Sequence, residues 1–287
     1  TLVRDYLRQV RPAHHRVYQE VYYEPGQAMQ VDWGSCGGIR IGQTFFPDWK
    51  AGGHGLTNVK KAIAESVNTF YYYIGGGYDK FKGLGIDKLM EYARIFGFGK
   101  QLGIDLPGEA SGFLPSPEWK EEVKGERWYI GDTYHVSIGQ GDFLSTPLQI
   151  ADATAVFANG GILYRPHVVK EIRVGHDEVL RPVEPEKIRE GFIDSKNIKI
   201  VREGMRQTVT AGSARLLQSL SVAAAGKTGT AQWSSRKAPH AWFTGFAPYD
   251  KPQIVVTVLV EEGKEGSTAA TPIAKEIMEY YFSSAKQ

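Results

Sequence analysis

The chain has 287 residues, 42% of them apolar, and a formal net charge of +2 from 34 basic and 32 acidic side chains. That length suffices for one large core or two modest ones, and the near balance of charge gives no support for a nucleic-acid or membrane-surface partner. A single cysteine, Cys36, excludes an internal disulfide.

Residues 1–34 read differently from the rest. The opening Arg4, Asp5, Arg8 and Arg11 come without an apolar run, which predicts no signal peptide. Glu24-Pro25-Gly26 then leads into Gln30-Val31-Asp32-Trp33-Gly34. This stretch resembles an insertion-sequence transposase of the IS21 type, in which the residue matching Asp32 is the first metal-binding carboxylate of an integrase core. The further carboxylates of such a core do not follow. After Gly34 the text changes to Cys36-Gly37-Gly38-Ile39-Arg40-Ile41-Gly42 without a Pro- or Ser-rich linker. The expectation is a foreign graft over 1–34, joined near Gly34 to one domain over 35–287.

Within that domain, Leu56, Val59 and Ile63 have helical spacing over 56–65, and Gly75-Gly76-Gly77 breaks the helix that follows. A second amphipathic helix spans 86–96 and closes at Gly97. Thr146-Pro147 opens a helix through Phe157, with Pro in the first turn and Gly160-Gly161 beyond the end. A long helix is predicted over 195–209. Strands follow over 222–233, 241–247 and 253–262, then a closing helix over 272–282 with Thr271 as N-cap. The apolar run 254–260 is strand length and β-branched, which predicts no membrane span. Three late strands under a terminal helix argue an α+β fold with an antiparallel sheet.

Two motifs carry chemistry. Lys227-Thr228-Gly229-Thr230 lies on the first late strand. Lys227 offers a positive charge to a terminal carboxylate, with hydroxyls from Thr228 and Thr230 beside it. Gly229 lets an extended peptide approach the strand and add to it, and the Thr230 N–H can face a developing oxyanion. Ser66-Val67-Asn68 follows a helix; a serine there can relay a proton and an asparagine amide can hold a substrate backbone.

Together, in this order, the motifs resemble the penicillin-binding protein family, in its elongation-type penicillin-binding protein 2 branch. Phe45-Phe46-Pro47-Asp48-Trp49-Lys50, Ser137-Ile138-Gly139-Gln140-Gly141, Thr146-Pro147-Leu148-Gln149 and His240-Ala241-Trp242-Phe243 carry the same resemblance, which covers about residues 36–283. It implies a penicillin-binding transpeptidase and β-lactamase-like fold. It also implies peptidoglycan D,D-transpeptidase chemistry: acyl transfer on D-Ala-D-Ala stem peptides in cell-wall cross-linking, by a serine that β-lactams trap. The site residues it implies are Ser66, Asn68 and Lys227 for catalysis and Lys227, Thr228, Gly229 and Thr230 for substrate binding. The partners are stem peptides, β-lactams and, for the parent family, the cell-elongation machinery. No cofactor and no nucleic acid is expected. Family members work at the periplasmic face of the inner membrane, whereas this chain as written shows no export or anchoring signal.

One part of the pattern departs from the family. The nucleophile's Ser-x-x-Lys belongs a few dozen residues before Ser66, and 1–34 contain no serine. Ser234-Ser235-Arg236-Lys237 has the spacing but follows the Lys-Thr-Gly strand in a loop. The sequence therefore predicts an N-terminally truncated domain with an exposed sheet edge and catalysis that is absent or vestigial. The remaining readings are a non-catalytic β-lactam or stem-peptide binding remnant and a non-functional gene fusion. Asp48, His54 and Cys36 also resemble ligands of a zinc site in this subfamily; Val67 stands where the site has a cysteine, and local capping by Asp48 and hydrogen bonding by His54 is the competing reading.

Overall fold

The computed structural model describes residues 37–174 and 178–284. A hairpin of β1 (Gly38–Ile41) and β2 (Thr44–Pro47) opens it, with Gly38 opposite Pro47. The hairpin delivers Asp48 directly to the helical region. Helices α1 (Val59–Glu65) and α2 (Asn68–Gly76) follow, separated only by Ser66 and Val67. Asn58 caps α1 by accepting from the Lys61 N–H. At the far end of α2 the backbone doubles back tightly: a Cβ on Gly83 would lie 2.2 Å from the Gly77 nitrogen, so only glycine fits there.

Next come α3 (Gly85–Ile95), α4 (Pro117–Lys124), α5 (Ile130–Ser137) and α6 (Pro147–Asn159). Thr146 and Gln149 form a capping box at the start of α6, with Pro147 in the first turn, and Gly160 closes it in the left-handed conformation. The helices predicted near 56, 86 and 146 thus form with ends close to those expected. Helices α4 and α5, which sequence reading did not foresee, are eight residues each, too short for a clear periodic pattern.

Two small pairs follow, β3 (Leu163–Tyr164) with β6 (Lys187–Arg189) and β4 (Glu171–Val174) with β5 (Glu178–Pro182). Helix α7 (Ser195–Thr210), capped by Asp194, precedes the main sheet. That sheet is β7 (Ala225–Ala231), β8 (His240–Ala247) and β9 (Ile254–Val260), antiparallel in sequence order. Strands β7 and β9 are shorter than the predicted 222–233 and 253–262 because their outer residues continue as irregular chain, whereas β8 gains His240 over the predicted 241–247. Helix α8 (Thr271–Ser284) closes the fold. Thr271 is not its N-cap: it is already helical, a π turn (Gly266–Ala270) precedes it, and its hydroxyl donates to the Gly266 carbonyl. Among the described residues no helix is long and apolar enough to cross a membrane.

The sheet has helices on both faces. Ala241, Phe243, Val256 and Val258 pack with Ala274, Met278 and Phe282 of α8. Ala225 and Phe246 pack on the other face with Ala158 of α6 and Met205 of α7. Alternation along β8 sends successive side chains to opposite layers. Across the second interface the Arg202 guanidinium donates to the carbonyls of Phe157, Ala158 and Tyr249.

One buried group on α6 lacks a partner. The Asp152 Oδ2 atom is buried with no hydrogen bond, and burial pushes the carboxyl up to about 7. Its folded pKa lies above its unfolded one, so the group costs stability as pH rises from about 4 through 7. Asp152→Asn is expected to stabilise the protein at pH 8, by on the order of 1–2 kcal/mol after allowance for its partial exposure, and to change little below pH 4. Melting curves at the two pH values check this; equal effects at both would refute it.

Candidate functional site

The site lies where β7 meets the turn between α1 and α2. Ser66 ends α1 in the left-handed conformation, φ 57° and ψ 49°, with its N–H bonded to the Ala62 carbonyl. A non-glycine residue pays about 1–2 kcal/mol for that conformation. The surroundings hold it there: the Trp49 indole N–H lies 3.0 Å from the Ser66 carbonyl and 3.1 Å from that of Glu65. Asn68 begins α2 just beyond, half-buried.

Lys227 reaches this turn from β7. Its Nζ lies 2.9 Å from Ser66 Oγ and 2.5 Å from the Thr228 carbonyl. No ion pair involves Lys227 among the described residues, and burial pushes its ammonium down to about 8. Gly229 and Thr230 continue the strand, with Thr230 exposed. The edge of β7 away from β8 has no strand partner among the described residues; there Gln140 donates to the Thr230 carbonyl at 3.3 Å and accepts from the Gln232 N–H. An open edge beside a buried cation suits an extended chain ending in a carboxylate.

Thr228 points elsewhere. Its hydroxyl meets Ser213 Oγ at 2.5 Å, and the Ser213 N–H donates to the Ala64 carbonyl. Ser213 therefore joins β7 to the end of α1, a role that sequence reading missed because nothing in its neighbours marks it.

Beneath the turn lies a buried polar cluster. His54 Nε2 is 3.0 Å from Asp48 Oδ1, and His54 Nδ1 is 2.7 Å from Glu65 Oε2. The second Asp48 oxygen accepts from the Thr69 N–H at 3.0 Å and from its hydroxyl at 2.9 Å. Asp48 and Glu65 thus grip both helices that flank Ser66. Glu65 and Trp49 were not singled out from the sequence. The fit to zinc is poor: both ring nitrogens of His54 face carboxylates, and Val67 is a fully buried apolar side chain. No step is assigned to a metal. Cys36 and Asp32 lie outside the described residues.

The Ser-x-x-Lys at 234–237 lies in the loop after β7, where Ser234 Oγ accepts from the Arg236 N–H and the Lys237 ammonium meets Glu262 at 2.9 Å. A further match, Ser283-Ser284-Ala285-Lys286, begins on the exposed end of α8, where the Ser283 hydroxyl donates to the Tyr280 carbonyl. Neither serine contacts Lys227.

An antiparallel sheet between helical layers, with a Lys-Thr-Gly strand bonded to a Ser-x-Asn turn, defines the class of penicillin-recognising acyl transferases. Residues 35–279 match the family model described as the penicillin binding protein transpeptidase domain, and the chain belongs to that family. Peptidoglycan D,D-transpeptidase MrdA of Acinetobacter baumannii is 36% identical over 316 aligned residues, taking in 99% of this chain and 46% of that protein. The Haemophilus influenzae protein of the same name is 36% identical over 258 residues, 82% of this chain and 38% of its own length. Among solved structures, Pseudomonas aeruginosa PBP2 in complex with WCK 5153 superposes with a TM-score of 0.75 at 35% identity, covering 88% of this chain and 53% of that one. PBP2 of Helicobacter pylori in complex with MreC gives 0.74 at 33% identity, with 90% and 45% covered. The chain spans less than half the length of the two MrdA relatives.

Proposed function

We propose that this chain is a penicillin-binding protein 2-type D,D-transpeptidase domain that binds D-Ala-D-Ala peptide ends and β-lactams but does not turn them over by the family's Ser-x-x-Lys route. The observation that carries the reading is the contact between Lys227 and Ser66 beside the open edge of β7. Lys227 is the carboxylate anchor, Thr230 an additional hydroxyl, Gly229 the approach for the peptide backbone, and Asn68 the amide that holds it. Residues 1–65 hold no Ser-x-x-Lys, which supports loss of turnover by that route.

A stem peptide ending in D-Ala-D-Ala should bind about ten- to a hundredfold more tightly than its C-terminal amide, because a charge-assisted bond to Lys227 is lost. Calorimetric titration measures this. Equal affinities, or no binding to protein that melts cooperatively, would sink the reading.

The H. pylori relative is found with MreC, which supports a place in an elongation assembly, and MrdA relatives that act on peptidoglycan support the periplasmic face of the membrane. The family match begins at residue 35, which supports a boundary near Gly34. The A. baumannii alignment takes in 99% of the chain and so runs across that boundary, which weighs against a foreign graft. Sequencing the surrounding locus decides between them.

A further inference from the structure

Residues 1–65 hold no Ser-x-x-Lys, yet the site brings one hydroxyl and one amine into contact. Ser66 Oγ and Lys227 Nζ are 2.9 Å apart, the separation at which a base takes a proton from a nucleophile. The hydroxyl is half-buried and therefore reachable. Its backbone is locked in the left-handed conformation by the Trp49 indole and by the Ala62 carbonyl, which fixes where the side chain leaves the turn. Backbone strain of this kind gathers at sites where a side chain must be presented.

Lys227 is placed to act as the base. Among the described residues no carboxylate pairs with it, and its hydrogen bonds go to neutral acceptors, the Thr228 carbonyl and Ser66 Oγ. Its depression to about 8 leaves a usable fraction of free amine near neutrality.

We propose that Ser66 and Lys227 form a serine–lysine nucleophile pair that accepts an acyl group from strained or activated acyl donors, β-lactams above all. The Lys227 amine removes the Ser66 hydroxyl proton, and Oγ bonds to the lactam carbonyl carbon. The ring C–N bond breaks, and the departing nitrogen takes the proton back from Lys227. The product is an ester on Ser66 with Lys227 again a free amine.

For β-lactams the inference rests on the binding role proposed above, and that role slows the step. The ammonium form of Lys227 anchors the ligand carboxylate, whereas the amine form activates Ser66. The two demands compete for one group, so acylation is slow and a donor without a carboxylate reacts faster. This pairing differs from proton relay by Ser66, which leaves no covalent bond on it.

The test is intact mass and peptide mapping after incubation with an alkyl fluorophosphonate and, separately, with benzylpenicillin. The fluorophosphonate needs no carboxylate anchor: Oγ displaces fluoride from phosphorus and Lys227 keeps the proton. Wild-type protein is expected to carry the phosphonyl group on the peptide containing Ser66, and to acquire the penicilloyl group there more slowly. Ser66→Ala loses both labels, and Ser66→Cys restores labelling at the same position. Lys227→Arg keeps the charge but cannot act as the base, so labelling by the fluorophosphonate, which needs no carboxylate anchor, falls about a hundredfold or more. Melting curves confirm that each variant is folded. Folded wild-type protein unlabelled at Ser66 by the fluorophosphonate overturns the pair, as does label that persists in Ser66→Ala. Penicillin binding without label at Ser66 also overturns it while the binding reading stands. Phosphonylation of Ser66 without any penicillin binding supports the pair and sinks the binding reading.

Discussion

Replacing His54 with alanine is expected to cost about 3 kcal/mol of stability, because two carboxylates lose a buried hydrogen-bond partner. The His54 side chain is 1% exposed and its Asp48 partner 0%. The two ring nitrogens of His54 lie between the carboxylates of Asp48 and Glu65, at 3.0 and 2.7 Å. Its removal leaves two carboxylates facing a void, one fully enclosed. Asp48 holds the first turn of α2 through Thr69, and Glu65 is the residue before Ser66. Ligand affinity is therefore expected to fall as well, because the hydroxyl moves away from Lys227. Denaturant unfolding and peptide titration on the same variant measure both effects. A loss below 1 kcal/mol with unchanged affinity would show that the cluster does not support the site.

Phe243→Ala is expected to cost a similar amount, about 3–5 kcal/mol. The ring is 0% exposed at the centre of β8, packed with α8. It also covers two glycines that face each other across β7 and β8: a Cβ on Gly226 would lie 2.6 Å from the ring, and one on Gly245 would lie 2.7 Å from it. With no side chains there to move inward, the cavity left by truncation cannot collapse, which places the cost at the upper end of the range. Gly226 immediately precedes Lys227, so the packing that holds the sheet also sets the height of the lysine. A shift in denaturation midpoint at unchanged slope would report this. A midpoint close to wild type would mean that the sheet closes over the gap.

The legible parts of the fold share a physical cause. Helices α1, α3, α6 and α7 have periodic apolar faces and chain-breaking or capping residues at their ends, such as Asn58, Gly97, Thr146-Pro147 and Gly160. Strand β9 is a run of β-branched residues and β8 carries Trp242, Phe243 and Phe246, with a polar loop before each, whereas β7 was legible from its Lys-Thr-Gly motif. The parts that were not legible are short or borrowed. The two-residue β3 pairs only through contacts with a distant segment, and the start of α8 depends on a π turn packed over the sheet: a Cβ on Gly266 would lie 2.4 Å from the Gly229 carbonyl oxygen. Thr271 has the residue type of an N-cap, but tertiary packing extends the helical path upstream of it.

By itself the sequence determined the family, the antiparallel sheet, the two motifs and the lack of a Ser-x-x-Lys within residues 1–65, because these reside in residue identity and local spacing. Only the tertiary structure decided which groups meet. Lys227 and Ser66 are 161 positions apart, and their contact follows from α7 packing between β7 and α1. The Asp48, His54 and Glu65 cluster and the Ser213–Thr228 bond have the same origin. Hydrogen bonds between remote side chains depend on helix and sheet positions to within about an ångström, and no local pattern encodes that.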